Sequence, residues 1–270
     1  MSELSVLLDK CVKLISKADT LIITAGAGMG CDSGLPDFRG KDGLWAAYPA
    51  LGKAKFKFQD IANPNAFHSH TRLAWGFYGH RLNLYRNIVP HEGFNILLKL
   101  AKSKHDYAVI TSNVDGAFQK AGFEPNRLVE LHGSIHRLQC IKPCSQDLWS
   151  ADKLNLVIDE EKCSLTSDIP LCPNCGALAR PNILMFDDGE WIERETCSYL
   201  RAGDLIRSLK NPVILEFGAG TSLPAIRYFG DNTLNPLIRV NPQESAVNRR
   251  DHVGVPMTAL EFCKYLEVRV

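Results

Sequence analysis

The chemistry open to this 270-residue chain is concentrated in a few short stretches. Cys140 and Cys144 are separated by three residues, and Cys172 and Cys175 by two. Two close cysteine pairs separated by a loop are the usual way to gather four thiolates around a tetrahedral zinc ion. Pro173 and Gly176 favour the tight knuckle that such a site needs. Four thiolates leave no open coordination position, so one bound zinc ion would be structural, not catalytic. Cys163, between the pairs, is either a substitute ligand or a free thiol.

A second stretch runs Ala25-Gly26-Ala27-Gly28-Met29-Gly30-Cys31-Asp32-Ser33-Gly34-Leu35-Pro36-Asp37-Phe38-Arg39-Gly40, directly after the apolar run Thr20-Leu21-Ile22-Ile23-Thr24. Glycines after a strand let the backbone turn tightly and approach a phosphate, whose charge a following helix N-terminus favours. Tight strand-to-helix turns also need glycine for steric reasons alone. Gly26 and Gly28 fit the dinucleotide fingerprint, whereas Cys31 stands where its third glycine belongs. His132, in Glu130-Leu131-His132-Gly133-Ser134, is suited to act as a base near neutral pH. In Trp75-Gly76-Phe77-Tyr78-Gly79-His80-Arg81, a helical reading puts Tyr78 and Arg81 on one face. An arginine can bind a carboxylate bidentately and the tyrosine hydroxyl can add a third bond. The same pattern suits an ordinary amphipathic helix with Tyr78 packed and Arg81 solvated.

Short apolar runs at 20–24, 107–111, 128–131, 213–217 and 237–240 read as strands, and helical patterns fall at 93–103, 115–121 and 193–208. This alternation predicts an α/β fold with a doubly wound, Rossmann-like parallel sheet. Ligands in such sheets sit outside the carboxyl ends of the strands. Gly26, Ser112-Asn113, His132, Gly218 and Asn241 each follow one of these runs. Residues from about 41 to 90 read as loops and helices, and those from about 137 to 180 carry the cysteine pairs.

The Pro36-Asp37-Phe38-Arg39 extension of the glycine turn resembles the cofactor-binding loop of the sirtuins, the NAD-dependent protein deacylases. The similarity extends through Thr111-Ser112-Asn113-Val114-Asp115-Gly116, the histidine motif, the cysteine module, Gly218-Ala219-Gly220-Thr221-Ser222 and Asn241. It implies that NAD is consumed as a co-substrate, with nicotinamide released and an acyl group passed from lysine to give O-acyl-ADP-ribose. By this resemblance His132 is the base, with Asn113 and Asp115 facing the nicotinamide carboxamide and ribose. Asp115 has a competing role as a cap for the helix after it. The cofactor would contact Gly26, Ala27, Gly28, Asp37, Phe38, Arg39, Ser112, Gly220, Thr221, Ser222 and Asn241. Asn182, Leu184 and Phe186, in Arg180-Pro181-Asn182-Ile183-Leu184-Met185-Phe186, match a segment that pairs with the substrate peptide as a strand. A subset of sirtuins that remove acidic acyl groups such as succinyl carries a tyrosine and an arginine spaced like Tyr78 and Arg81.

The resemblance divides the chain into a nucleotide-binding domain (1–40, 88–136 and 181–270), a helical insertion (41–87) and an inserted zinc module (137–180). Three departures stand out. Gly30 replaces a serine, Ser112 replaces a glutamine, and Asp187-Asp188 replaces a glycine–glutamate pair. The two aspartates would add negative charge to the peptide groove. These departures motivate a rival activity, ADP-ribosyl transfer or NAD hydrolysis, while a non-catalytic NAD sensor is a further alternative.

Composition narrows the partners. Thirty-one basic and thirty acidic residues leave a net charge of +1, which gives no electrostatic footprint for nucleic acid. An acyl-lysine protein or peptide is the expected partner. Residues 4–15 read as an amphipathic helix and not as a signal peptide, and no apolar run approaches the roughly 20 residues of a membrane span. Nine cysteines then point to a reducing compartment, the cytoplasm.

Overall fold

The fold is a computed structural model that describes residues 3–36, 47–193 and 197–269. Strands β1 (Thr20–Ala25), β2 (Asp106–Thr111) and β3 (Leu128–Glu130) lead into a second layer made of β4 (Gly133–Cys140), β5 (Trp149–Ser150), β6 (Ile158–Asp159), β7 (Ser164–Leu165) and β8 (Ala179–Ile183). The chain then returns through β9 (Pro212–Phe217), β10 (Leu237–Val240) and β11 (Val253–Val255). The main sheet has the order β11-β10-β9-β1-β2-β3, and every pairing in it is parallel. Its central strands are buried along their whole length, which is why they read as unbroken apolar runs and not as alternating ones.

Successive residues nonetheless face opposite layers. Leu21, Ile23, Val109 and Leu215 pack on the helices Glu3–Lys17, Glu92–Ser103 and Ala259–Glu267. Ile22, Ala108, Ile110 and Ile214 pack on the other face, with Ala202 and Leu209 from the segment of the Ser198–Ser208 helix. The last helix starts in a capping box: Thr258 Oγ1 accepts from the Glu261 amide and the Glu261 carboxylate accepts from Thr258 N–H.

From β1 the chain moves outward through β2 and β3, then returns to the other side of β1 with β9. That reversal is a topological switch point, where open α/β sheets bind ligands. The two glycine turns meet there. A Cβ on Gly26 or Gly28 would lie 2.7 Å from backbone atoms of Gly218, and Gly218 itself has φ +56°. Gly28 N–H donates to Gly218 C=O at 3.1 Å. Close backbone contact between the turns therefore requires glycine at all three positions, whatever else they do.

The remaining residues form a smaller lobe. β5-β4-β8 is an antiparallel sheet and β6-β7 a hairpin. The stretches at 41–87 and 137–180, which read as separate insertions, contribute to one apolar cluster that includes Phe67, Trp75, Phe77, Leu138, Leu156 and Leu165. Gly76 is the point of closest approach: a Cβ there would lie 2.1 Å from the Cys163 carbonyl oxygen. Arg72, Asn83 and Arg86, on the Thr71–Asn87 helix, donate to backbone carbonyls of Leu165, Leu156 and Leu154. Among the described residues no helix is long and apolar enough to cross a membrane.

Candidate active site

An open cavity, about 1060 Å³ with its solvent-filled mouth, lies between the lobes at the carboxyl edge of the main sheet. The sheet side supplies Ala27 from the first glycine turn, Ser112, Asn113 and Asp115 from the loop after β2, and His132 from the loop after β3. The smaller lobe supplies Tyr78, Arg81 and Tyr85 from the Thr71–Asn87 helix, and Leu184 and Phe186 from the loop after β8. Residues far apart in the chain thus converge because each follows the end of a strand or lies on the helix opposite.

The polar side chains of the cavity are held from behind. Asn113 donates its side-chain amide to Gly26 C=O at 2.9 Å, tying the loop after β2 to the first glycine turn. Asp115, 7% exposed, accepts from Ala117 N–H at 2.8 Å, so it holds the first amide of the Ala117–Lys120 helix while also lining the cavity. Burial pushes its carboxyl pKa up, opposed by that amide bond. His132 is half-buried, and its carbonyl receives Leu184 N–H at 3.0 Å.

On the opposite wall Tyr78, 1% exposed, stacks on Phe67 with ring centroids 5.6 Å apart. Arg81 donates through Nε and Nη2 to the Tyr85 hydroxyl at 3.1 and 2.8 Å. Its guanidinium also sits 5.3 Å from the Phe77 ring centroid and 5.4 Å from that of Tyr85. Tyr85 was not singled out from the sequence, yet it lies four residues after Arg81 and seven after Tyr78, on the same helix face.

Several of the other expected residues lie outside the cavity. Asn182 is 1% exposed and donates to Gln139 Oε1 and Ile192 C=O, behind the cavity and not in it. Leu184 and Phe186 give their amides to His132 C=O and Ala62 C=O, and Met185 N–H goes to Asp188, so a peptide strand here would pair through carbonyls. Thr221 donates through its amide and hydroxyl to the Glu244 carboxylate at 2.9 and 2.6 Å. Asn241 Oδ1 accepts from the Gln243 and Glu244 amides, shaping the loop that delivers Glu244. Gly220 approaches the same carboxylate, Thr221 and Ser222 are exposed, and the cavity's own contact with this turn is Leu223. Asp37, Phe38 and Arg39 lie outside the described residues.

Two departures have local explanations. A Cβ on Gly30 would lie 2.8 Å from Leu35 Cδ1, so glycine there makes room for a side chain that lines the cavity. Asp187 has φ +53°, a left-handed conformation that glycine adopts freely and aspartate tolerates. The expectation that both aspartates make the groove acidic is corrected for Asp188. Its carboxylate forms a bidentate pair with Arg180 at 2.7 and 2.8 Å, both side chains being 0% exposed. Removing one partner would strand a buried charge. Asp188→Ala is expected to destabilise the protein by about 3–5 kcal/mol in urea unfolding, with a change under 1 kcal/mol as the contrary result.

The four cysteines of the two pairs form a second site. All four Sγ atoms lie within 4.8 Å of one another, with Cys140–Cys175 and Cys144–Cys172 both at 3.7 Å. A tetrahedron with metal–sulfur bonds of about 2.3 Å has edges of about 3.8 Å, so the set fits zinc. Gly176, at φ +72°, turns the second pair, and its amide donates to Cys172 C=O. Cys163 is not part of this set: it is buried against Gly76, and burial pushes its thiol up to about 12.

Fold and site together define a nucleotide-binding type of α/β protein with an inserted four-thiolate module. The family model described as the Sir2 family matches residues 26–209. An NAD-dependent protein deacylase of Pyrococcus abyssi is 35% identical over 240 residues, covering 87% of this chain and 86% of the relative. One from Aquifex aeolicus is 32% identical over 231 residues, covering 85% and 86%. A solved Sir2 homolog–NAD complex shares the fold with a TM-score of 0.73 at 24% identity, over 96% of this chain and 92% of that one. The chain belongs to the Sir2, or sirtuin, family.

Proposed function

We propose that this protein is an NAD-dependent protein-lysine deacylase that acts on acidic acyl groups of the succinyl type. The observation that carries the reading is one cavity with His132, Asn113 and Asp115 on its sheet side and Tyr78, Arg81 and Tyr85 opposite. The relatives named as NAD-dependent protein deacylases support the deacylase part of it. When bound, NAD supplies an electrophilic ribose carbon with nicotinamide as leaving group. The residues proposed to hold it are those of the two glycine turns, with Ser112, Asn113, Asp115 and Asn241. Asp37, Phe38 and Arg39 complete the proposed set from sequence alone.

His132 accepts a proton at an imidazole nitrogen from the ribose hydroxyl that attacks the acyl group. Asn113, its amide nitrogen fixed on Gly26, and Asp115, fixed on Ala117, orient the nicotinamide end. Leu184 and Phe186 flank the acyl-lysine, and Arg81, steadied by the Tyr85 hydroxyl, meets the acyl carboxylate with Tyr78 beside it. The nine cysteines, none in a disulfide, are consistent with the reducing cytoplasm as its location.

Arg81→Met tests the acyl assignment. It is expected to lower kcat/KM for a succinyl-lysine peptide by about 100-fold while changing that for an acetyl-lysine peptide by less than about threefold. Equal losses on both peptides would show that Arg81 only shapes the wall. Ser112 favours a second reading, because a short side chain lines the cavity where the family has a longer hydrogen-bonding arm. Free ADP-ribose without any acylated product would favour hydrolysis of NAD.

A further inference from the structure

We propose that Lys120 is a positioning residue of the acyl pocket, fastening the carboxyl end of the Thr71–Asn87 helix to the loop after β2; the proposal rests on the deacylase reading. Lys120 is the last residue of the Ala117–Lys120 helix. Its Nζ donates to the carbonyl oxygens of Tyr85, Arg86 and Ile88 at 2.7, 2.8 and 3.0 Å. An ammonium has three donors, so these contacts match its full donor set. The last carbonyls of a helix have no partner within it, and the negative end of the helix dipole favours a cation there.

Both ends of this link reach the cavity. Lys120 fixes the backbone of Tyr85, and the Tyr85 hydroxyl in turn accepts both bonds from Arg81. At the other end Asp115 accepts from the first amide of the short helix, and Lys120 N–H itself donates to Gly116 C=O at 3.0 Å. Gly116 has φ +76° and packs against the His136 ring, where a Cβ would lie 2.9 Å from the ring atoms, so the turn between Asp115 and Lys120 has little room to shift. The Lys120 side chain therefore links the loop proposed to face nicotinamide to the helix proposed to read the acyl group.

The molecule contains a matched control. Lys104 Nζ donates in the same way to Ile15 and Ala18 carbonyls at 2.6 and 3.0 Å, behind the sheet and away from the cavity lining. The test compares Lys120→Met, Lys120→Arg and Lys104→Met by steady-state kinetics on a succinyl-lysine peptide and by amide hydrogen exchange. Lys120→Met is expected to raise KM for the peptide about five- to tenfold, with kcat and KM for NAD within about twofold of wild type. Exchange at residues 84–88 should quicken, Lys120→Arg should restore most of both properties, and Lys104→Met should alter neither. Wild-type kinetics in Lys120→Met, or a parallel rise in both KM values, would overturn the proposal. If the wild-type protein removes no acyl group, the deacylase reading fails instead. Exchange then decides the fastening alone: quickening at 84–88 sustains it, and unchanged exchange there overturns it.

Discussion

His132→Ala is expected to reduce acyl transfer by about 10²–10⁴-fold, the range over which a positioned general base contributes. His132 lies at the carboxyl edge of the main sheet, on the cavity wall that also holds Asn113 and Asp115. Binding of NAD should survive, because the glycine turns are built by contacts between Gly26, Gly28 and Gly218 that do not involve the imidazole. Calorimetry on the variant should therefore give a Kd for NAD within about threefold of wild type while turnover collapses. A variant that keeps more than about a tenth of wild-type turnover would remove His132 from the base role.

Loss of the metal is expected to have the second largest effect. The purified protein should carry one zinc ion per chain, and Cys175→Ser should lose it. Structural zinc contributes to folding outright, so the thermal midpoint of the variant should fall by about 10 °C or more. The damage should spread beyond the cysteines. Residues from the segment between the two pairs share an apolar cluster with the Thr71–Asn87 helix, and Leu154, Leu156 and Leu165 accept bonds from that helix. Faster hydrogen exchange in residues 71–87 after chelation would follow from this contact. A zinc-free protein with an unchanged midpoint and unchanged exchange there would contradict a folding role for the module.

Much of the main sheet was legible in the sequence, because strands buried on both faces leave unbroken apolar runs such as Leu21–Ile23 and Val213–Leu215. The short edge strand β11 was not, since Val253, Gly254 and Val255 are too few to set a pattern. β8 was hidden for a different reason. Its sequence Ala-Arg-Pro-Asn-Ile has no apolar or alternating pattern, so only the family resemblance marked it as a strand, yet Arg180 and Asn182 are buried by partners at Asp188 and Gln139. Local pattern carries no trace of such pairings. The cysteine site was legible from spacing alone, whereas the exclusion of Cys163 required knowing that it packs on Gly76. For Gly26 and Gly28, sequence could not separate phosphate approach from steric need, because the backbone they touch is that of Gly218, far along the chain. Lys120 and Glu244 act through contacts that local pattern does not show, whereas Tyr85, four residues after Arg81, lay within reach of helical spacing.

The central claim is tested most directly by incubating the purified protein with NAD and a panel of acetyl-, succinyl- and glutaryl-lysine peptides, and following peptides and nucleotide products by mass spectrometry. The account predicts NAD-dependent loss of the succinyl or glutaryl group, with one nicotinamide and one O-acyl-ADP-ribose formed per lysine freed. Nicotinamide release with every peptide intact would contradict it and assign the cavity to NAD hydrolysis or ADP-ribosyl transfer.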